Sequence, residues 1–423
     1  MKINVFWFRR DLRLHDNTGL IAALKSSLPV LPIFIFDSNI LDELERDDPR
    51  VQFIHQTING IQQELMMIGK SIRVFVGSPE KVWKQILSEY DIDEVYVNKD
   101  YEPYALERDR QINQLLANQN IEYKAFKDQV IFEESEIVKA DGLPYTVYTP
   151  YENKWLSSID PSSFYKSNHS FENLVNEIHE IPDLNTIGFT CSSIKVWPPQ
   201  LAQLSNYSDS RDFPAQDSTS KLGPHLRFGT VSIREMVSIA IETNQTFLSE
   251  LIWREFFMQI LFHFPYVVSK AFKPKYDNIV WRNNDVEFEK WCQGQTGYPI
   301  VDAGMRELNT TGYMHNRVRM ITASFLIKHL LIDWRWGEAY FAQKLLDYDH
   351  ASNNGNWQWV AGTGCDAAPY FRIFNPVEQT KKFDKKMEYI KKWVPEFNEL
   401  EYPVPIVDHK FARDRVLNAY KLV

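Results

Sequence analysis

The sequence predicts an α/β plus all-α chain: an N-terminal parallel-sheet domain, a long connector, and a C-terminal domain that is nearly all helix. Three observations predict it. Strand and helix patterns alternate through the first 130 residues, a polar and turn-rich stretch follows, and from about residue 201 the strand pattern stops. We place the boundaries at 1–130, 131–200 and 201–423, since 423 residues suit two or three domains.

The strand-like runs are NVFWF, VLPIFIF, SIRVFV, EVYVN and IEYKAF. Helical patterns lie between them, among them VQFIHQTINGIQQELMMIG and YALERDRQINQLLANQN. Ser78-Pro79-Glu80 reads as a helix start, with a Ser cap and Pro at the first helical position. Such alternation implies a parallel sheet wrapped by helices, with ligands at the C-terminal strand ends. GxGxxG and GxxxxGK[ST] are both absent, so the domain has a nucleotide-binding architecture without a nucleotide fingerprint.

The connector carries SSIDPSSFYKSNHSFENL and PDLNTIGFTCSS, and we expect it to cross the protein surface. Beyond it, SELIWREFFMQILFHF, VRMITASFLIKHLLIDW and GEAYFAQKLLD have helical spacing. Cys191, Cys292 and Cys365 are far apart and odd in number, with no CxxC or metal-type spacing, so neither a disulfide framework nor a zinc site is supported, which fits a reducing cytosol. The chain opens directly on a strand, and no apolar run reaches the length of a membrane span, so neither a signal peptide nor a membrane segment is expected.

The net charge is −9, but it is uneven. Residues 1–200 carry −10 (20 basic, 30 acidic) and residues 201–423 carry +1 (27 basic, 26 acidic). The C-terminal half can therefore present a local basic face, with Arg317, Arg319, Lys328, Lys381, Lys382, Lys385 and Lys386 as candidates. For the lysine run, an ordinary solvated surface is an equal alternative. Eight of the 12 Trp lie from Trp253 onward, so the aromatic excess belongs to one region.

Three blocks there carry chemistry. In DFPAQDSTSKLGPHLRFGTVS, Thr219 and Ser220 precede a Gly-Pro turn, where hydroxyls cap a helix or bind a phosphate. In SELIWREFF, Glu250 and Arg254 are four apart and either form an ordinary ion pair or face one cavity, with Trp253 beside them. The third block runs from Gly297 to Pro376 and sets Asn316, Arg317, Arg319, Asp347, Asp349, Asn353 and Asn354 among apolar helices. Buried polar groups need partners, and an Arg319–Asp347 pair would satisfy two of them. SNNGNWQW packs amides and two tryptophans into a few residues, a composition suited to stacking on a planar ligand.

WFRRDLRLHDN, TSKLGPHLRFG, ELIWREFF, the block Gly297–Asn316 and the block Leu346–Pro376 together identify a resemblance. The chain resembles the photolyase/cryptochrome family over nearly its full length, and most resembles its bacterial-type (class I) cyclobutane pyrimidine dimer branch. The resemblance implies a Rossmann-like antenna domain, a connector and a helical FAD-binding domain. It also implies light-dependent repair of cyclobutane dimers by electron transfer from excited FADH⁻ to a flipped-out dimer; a blue-light photoreceptor of the cryptochrome type without repair activity is the alternative.

Residue roles follow from the same resemblance. Tyr207 and the stretch Thr219, Ser220, Lys221, Leu222 and Gly223 are expected at the FAD phosphates. Arg254, Asn316, Arg319, Asp347, Tyr348, Asp349 and Asn353 are expected around the rest of the cofactor, with Asn353 at the reactive ring nitrogen. Trp357, Trp334 and Trp281 match the photoreduction chain, in that order outward. Trp253 and Trp359 match the lesion clamp, Met320 and Glu250 the dimer-binding pattern, and Arg211, Arg317, Asn316 and Gln379 further DNA contacts. The (6-4) branch has two histidines where this chain has Asn316 and Met320, which argues against that branch.

Two departures are small: Lys221 stands where relatives often have Arg, and His225 where they often have Tyr or Ser. The larger one concerns the antenna. Folate-binding relatives carry Asn-Glu where this chain has Tyr104-Ala105, so deazaflavin, flavin or no antenna is expected rather than folate. The expected partner is UV-damaged, mainly double-stranded DNA, met by a monomer in a bacterial-type cytoplasm at the nucleoid.

Overall fold

A computed structural model describes residues 2–164 and 169–423; residues 165–168 of the expected connector lie outside the described residues. The chain divides into two compact units. The first comprises 1–136, 158–198 and 222–242, the second 137–157, 199–221 and 243–423.

The first unit is a five-stranded parallel sheet in the order β3-β2-β1-β4-β5, with β1 Lys2–Phe8, β2 Val30–Asp37, β3 Arg73–Gly77, β4 Asp91–Asn98 and β5 Glu122–Phe126. All five expected strands are present. β1 and β2 are buried along almost their whole length, which is why they read as unbroken apolar runs. The crossovers carry α1 Thr18–Leu24, α2 Pro49–Met66, α3 Pro79–Glu89 and α4 Pro103–Ala117. Ser78 does precede α3 with Pro at N1, but its side chain makes no capping bond.

The strand order reverses between β1 and β4, and ligands bind sheets of this kind at such a point. Here protein side chains fill it. Asn98 at the end of β4 accepts from the Gly19 amide at 2.8 Å and donates to Asp11 and Asn17 at 2.6 and 2.7 Å. Arg10 pairs with Asp100 and Glu102 at 3.2 and 3.0 Å, and Arg227 joins Glu102 at 2.5 Å. Tyr104, at the position that bears on the antenna, donates its hydroxyl to Asp37, and Ala105 is buried.

The connector does not simply run over the surface. Leu174, Ile187 and Phe189 are buried in the first unit's core. The segment pairs with β2 through the Val30 amide to the Asn173 carbonyl (2.8 Å) and the Val175 amide to the Val30 carbonyl (3.0 Å). Lys70 closes three further acceptors on Glu172, Leu174 and Asn176. These few apolar residues are diluted by polar neighbours, and that dilution hid the burial. Residues 222–242 also differ from expectation. They group with the first unit, where Arg234 pairs with Asp16 and Asp128 at 3.0 and 2.8 Å.

The second unit contributes α5 Tyr148–Ser158, α6 Gln245–His263, α7 Asn316–Ser324, α8 Trp334–Lys344, α9 His350–Ala361 and α10 Pro376–Phe383, among other helices. α5 is held on α6 by buried Glu255, which accepts from the Trp155 indole at 2.7 Å and the Tyr151 hydroxyl at 3.2 Å. The expected continuous helix through VRMITASFLIKHLLIDW is broken. α7 ends at Ser324, a π-helical turn spans Phe325–His329, and Leu331 takes φ +54° before Asp333 caps α8. Most of that stretch is buried, polar Thr322, Ser324, Lys328 and His329 included, so its pattern gives no sign of the break. No helix among the described residues is long and apolar enough to cross a membrane.

Candidate active site

α6, α7, α8 and α9 of the second unit enclose a cavity of about 360 Å³, within the size range of small-molecule sites. α6 supplies Glu250, Trp253, Arg254 and Phe257; α7 supplies Asn316, Arg319, Met320 and Ala323. Asp347, Tyr348 and Asp349 come from the turn before α9, and Asn353, Trp357 and Trp359 from α9 itself. Arg211 completes the polar rim.

Glycine makes two of the close approaches possible. A Cβ on Gly337 of α8 would lie 2.1 Å from the Trp357 ring, and one on Gly355 of α9 would lie 2.1 Å from the Phe257 ring. α8 can therefore press against the back of Trp357, which also meets Phe341 and Trp291 edge-on at 5.0 and 6.3 Å.

Arg319 and Asp347 form the expected pair, at 2.9 Å between Nη2 and Oδ2. Arg319 Nε also donates to the Met314 carbonyl at 2.7 Å. Burial opposes the Arg319 charge, but the Asp347 carboxylate outweighs it and the net shift is upward. Asp347 Oδ1 is buried with no hydrogen-bond partner on the protein. A buried acceptor of this kind requires a donor, and a heterocyclic ligand in the cavity would provide one. Asp349 caps α9 through the Ser352 amide at 3.0 Å.

Asn353 donates its amide nitrogen to the Glu338 carbonyl and carboxyl, both at 3.0 Å. Burial raises the Glu338 carboxyl pKa. Sequence reasoning does not single out Glu338; its position one turn after Trp334 on α8 is the available signal.

The acids and bases at the rim are already paired. Arg211 meets Glu250 at 2.6 Å, and the next residue, Asp212, meets Arg317 at 2.6 Å. Burial raises the Glu250 pKa, and Arg211 opposes that shift. Glu250 and Arg254 are thus not the ordinary i,i+4 pair that their spacing suggests: both line the cavity, and the Glu250 partner is Arg211. Arg317 also covers the Phe383 ring of α10 at 4.3 Å.

Several expected site residues do not line this cavity. Tyr207 packs edge-on to Phe247, with the Arg211 guanidinium 5.3 Å over its ring. The Thr219 hydroxyl pairs with that of Tyr313 at 2.9 Å, and Lys221 sits 4.2 Å over the same ring while paired with Asp217. Ser220 is buried beside them in sequence; Leu222 and Gly223 belong to the first unit. Gln379 is on α10, outside the lining. Trp334 is fully buried in the same core cluster as Trp357, and Trp281 is half-buried against Tyr420 at 6.2 Å.

Comparison with known proteins shows which family the chain resembles in sequence and fold. Residues 4–170 match a family model described as DNA photolyase, and residues 247–401 one described as the FAD binding domain of DNA photolyase. A deoxyribodipyrimidine photo-lyase from Agrobacterium fabrum is 37% identical, over 99% of this chain and 98% of its own. The structure of an archaeal photolyase from Sulfolobus tokodaii, containing two FAD molecules, is similar with a TM-score of 0.87, 36% identity and full coverage of both chains. A Synechocystis cryptochrome is similar with a TM-score of 0.84 and 27% identity, covering 99% of each chain.

Proposed function

The chain belongs to the DNA photolyase family, and from that membership we propose that it is a deoxyribodipyrimidine photo-lyase that repairs cyclobutane dimers in UV-damaged DNA under light. One observation carries this reading: Trp253, Trp359, Met320 and Glu250 share a single cavity with Asn353 and the Arg319–Asp347 pair. When bound, FAD supplies the light-driven electron. Arg254, Asn316, Arg319, Asp347, Tyr348, Asp349 and Asn353 are the residues proposed to hold it. Thr219 and Lys221, grouped on the Tyr313 ring, are the candidates for its phosphates.

The protein's own part is to bind, orient and exclude water. An extruded dimer gains stacking area on Trp253 and Trp359, which offsets an unstacking cost of a few kcal/mol. Glu250 is placed to hydrogen-bond a pyrimidine once Arg211 turns to a phosphate. Arg317, Gln379 and the lysines of α10 are proposed as backbone contacts, making affinity salt-dependent. Trp357, Trp334 and Trp281 are proposed as the route of electron supply, running from the cavity wall through the core to a half-buried ring. The substrate proposed is duplex DNA at the bacterial nucleoid, bound by one copy of the chain. For any antenna, a flavin or deazaflavin is favoured over folate because Tyr104 and Ala105 replace the Asn-Glu pair.

The test is to illuminate reduced protein with a dimer-containing oligonucleotide and measure intact thymines. Recovery above the dark control is expected. A protein whose flavin photoreduces while lesions persist would be a photoreceptor instead.

A further inference from the structure

Trp253 is the inner sheet of a two-ring stack. The Tyr148 ring of α5 lies against it with centroids 3.6 Å apart and planes within 7°. The Tyr148 ring therefore occupies one indole face and leaves the opposite face for a planar ligand. Phe256 meets the indole edge-on at 5.6 Å, and Phe257 lies tilted by 34° at 5.3 Å.

Tyr148 is itself pinned at both ends. Its hydroxyl meets the Ser249 carbonyl at 2.8 Å, the Ser249 hydroxyl at 2.7 Å and the Glu152 carboxylate at 3.0 Å. Ser249 stands one helical turn before Trp253, so the backing ring and the indole take their positions from one helix, α6. The Tyr148 amide donates to Asp366 Oδ2 at 2.9 Å. Asp366 lies in the loop after α9, where the Ala368 amide returns to the Trp359 carbonyl at 3.2 Å and Arg372 covers the Trp359 ring at 5.5 Å.

We propose that Tyr148 is a positioning residue for dimer recognition: it fixes the plane of Trp253, and through Asp366 it sets the spacing between Trp253 and Trp359. The inference rests on the reading that these two tryptophans face the lesion. An indole without a backing ring has a broad χ2 well and presents a less defined surface. The connector helix, remote in sequence from the rest of the cavity, is then part of the recognition surface.

The test uses the full-length, FAD-loaded protein in the dark and measures affinity for an oligonucleotide with one cyclobutane dimer and for its undamaged counterpart. Tyr148→Leu is expected to weaken dimer binding about three- to tenfold, the scale of one aromatic pair, with undamaged-DNA binding and flavin content unchanged. Tyr148→Phe, which keeps the stack but loses the hydroxyl's anchoring bonds, should fall between the parent and Tyr148→Leu. In a Trp253→Ala background, Tyr148→Leu should add nothing, because the two act through one surface. Should leucine unfold the protein, Tyr148→His retains a smaller ring and should show an intermediate, dimer-specific loss. Equal loss on damaged and undamaged DNA, or an undiminished effect in the Trp253→Ala background, overturns the proposal. If Trp253→Ala weakens dimer binding and Tyr148→Leu does not, only the positioning role fails. If Trp253→Ala has no effect, the lesion-facing reading fails and this inference with it.

Discussion

Gly337 tests whether Trp357 is held as tightly as its surroundings imply. A methyl group there would lie 2.1 and 2.5 Å from two carbons of the Trp357 ring and 2.5 Å from Leu326 Cδ2. All three are well inside contact distance. Trp357 and Leu326 are buried to 2% and 0% exposure, so neither can swing into solvent. Overpacking of this kind costs about 1–3 kcal/mol, and three contacts below 3 Å on rigid neighbours place Gly337→Ala near the upper end. Replacing a helical glycine returns about 0.8 kcal/mol, leaving a net loss of about 2 kcal/mol. Gly60 provides the control: it lies inside α2, and a Cβ added there would meet nothing within 4 Å, so Gly60→Ala should stabilise by about 0.5–1 kcal/mol. Thermal melting with flavin absorbance as a second channel separates the cases. Gly337→Ala should also lose flavin, since Trp357 forms a cavity wall. A Gly337→Ala protein that melts with or above the parent, flavin content intact, would refute the packing argument.

Three further outcomes are expected. Asp347→Asn removes the charge opposite a mostly buried Arg319 (side-chain exposures 17% and 24%), and should cost about 2–3 kcal/mol in urea unfolding and weaken flavin retention. Burial, reinforced by the nearby charges of Lys221 and Arg319, lowers the His315 pKa from 6.5 to about 4. The unfolded chain therefore binds the extra proton first, so stability is lost as pH falls from 6.5 toward 4, by about 2–3 kcal/mol at pH 4.5; urea midpoints of His315→Gln should show a correspondingly smaller acid loss. Asp212→Asn releases Arg317 from its ion pair and should tighten undamaged-DNA binding while steepening the log affinity against log salt slope by about one phosphate's worth, roughly 0.9; an unchanged slope would mean that Arg317 does not meet the backbone.

What the sequence revealed and what it hid follow one physical division. The strands were legible because doubly covered parallel strands are continuous apolar runs, and the Arg319–Asp347 pair because two buried charges demand each other. Trp253, Trp359, Asn353 and Asp349 were legible through long motifs. Tyr148, Asp366, Glu338 and Asp212 were not, since each acts through a contact that no local pattern encodes. Tyr148 meets Trp253 more than a hundred positions later, and α5 read as part of a polar connector. The family resemblance assigns Arg211 and Glu250 each to the DNA, whereas in the folded chain they hold each other. Helical spacing alone does not say which core a helix joins, so the sequence does not show that 222–242 belongs with the first unit.

The interleaving of the two units bears on how the chain can be made and cut. The path enters the first unit three times and the second three times, and the last piece of the first unit ends at residue 242. During synthesis its sheet strands are all available by Phe126, yet Asp128 and Asp16 wait for Arg234. A nascent first unit therefore spends the time needed to add more than a hundred residues, on the order of ten seconds at typical elongation rates, with those carboxylates still short of this partner. No single cut yields either unit whole. A stand-alone first unit would need 158–198 and 222–242 carried along with 1–136, and a fragment ending at residue 130 should aggregate rather than fold.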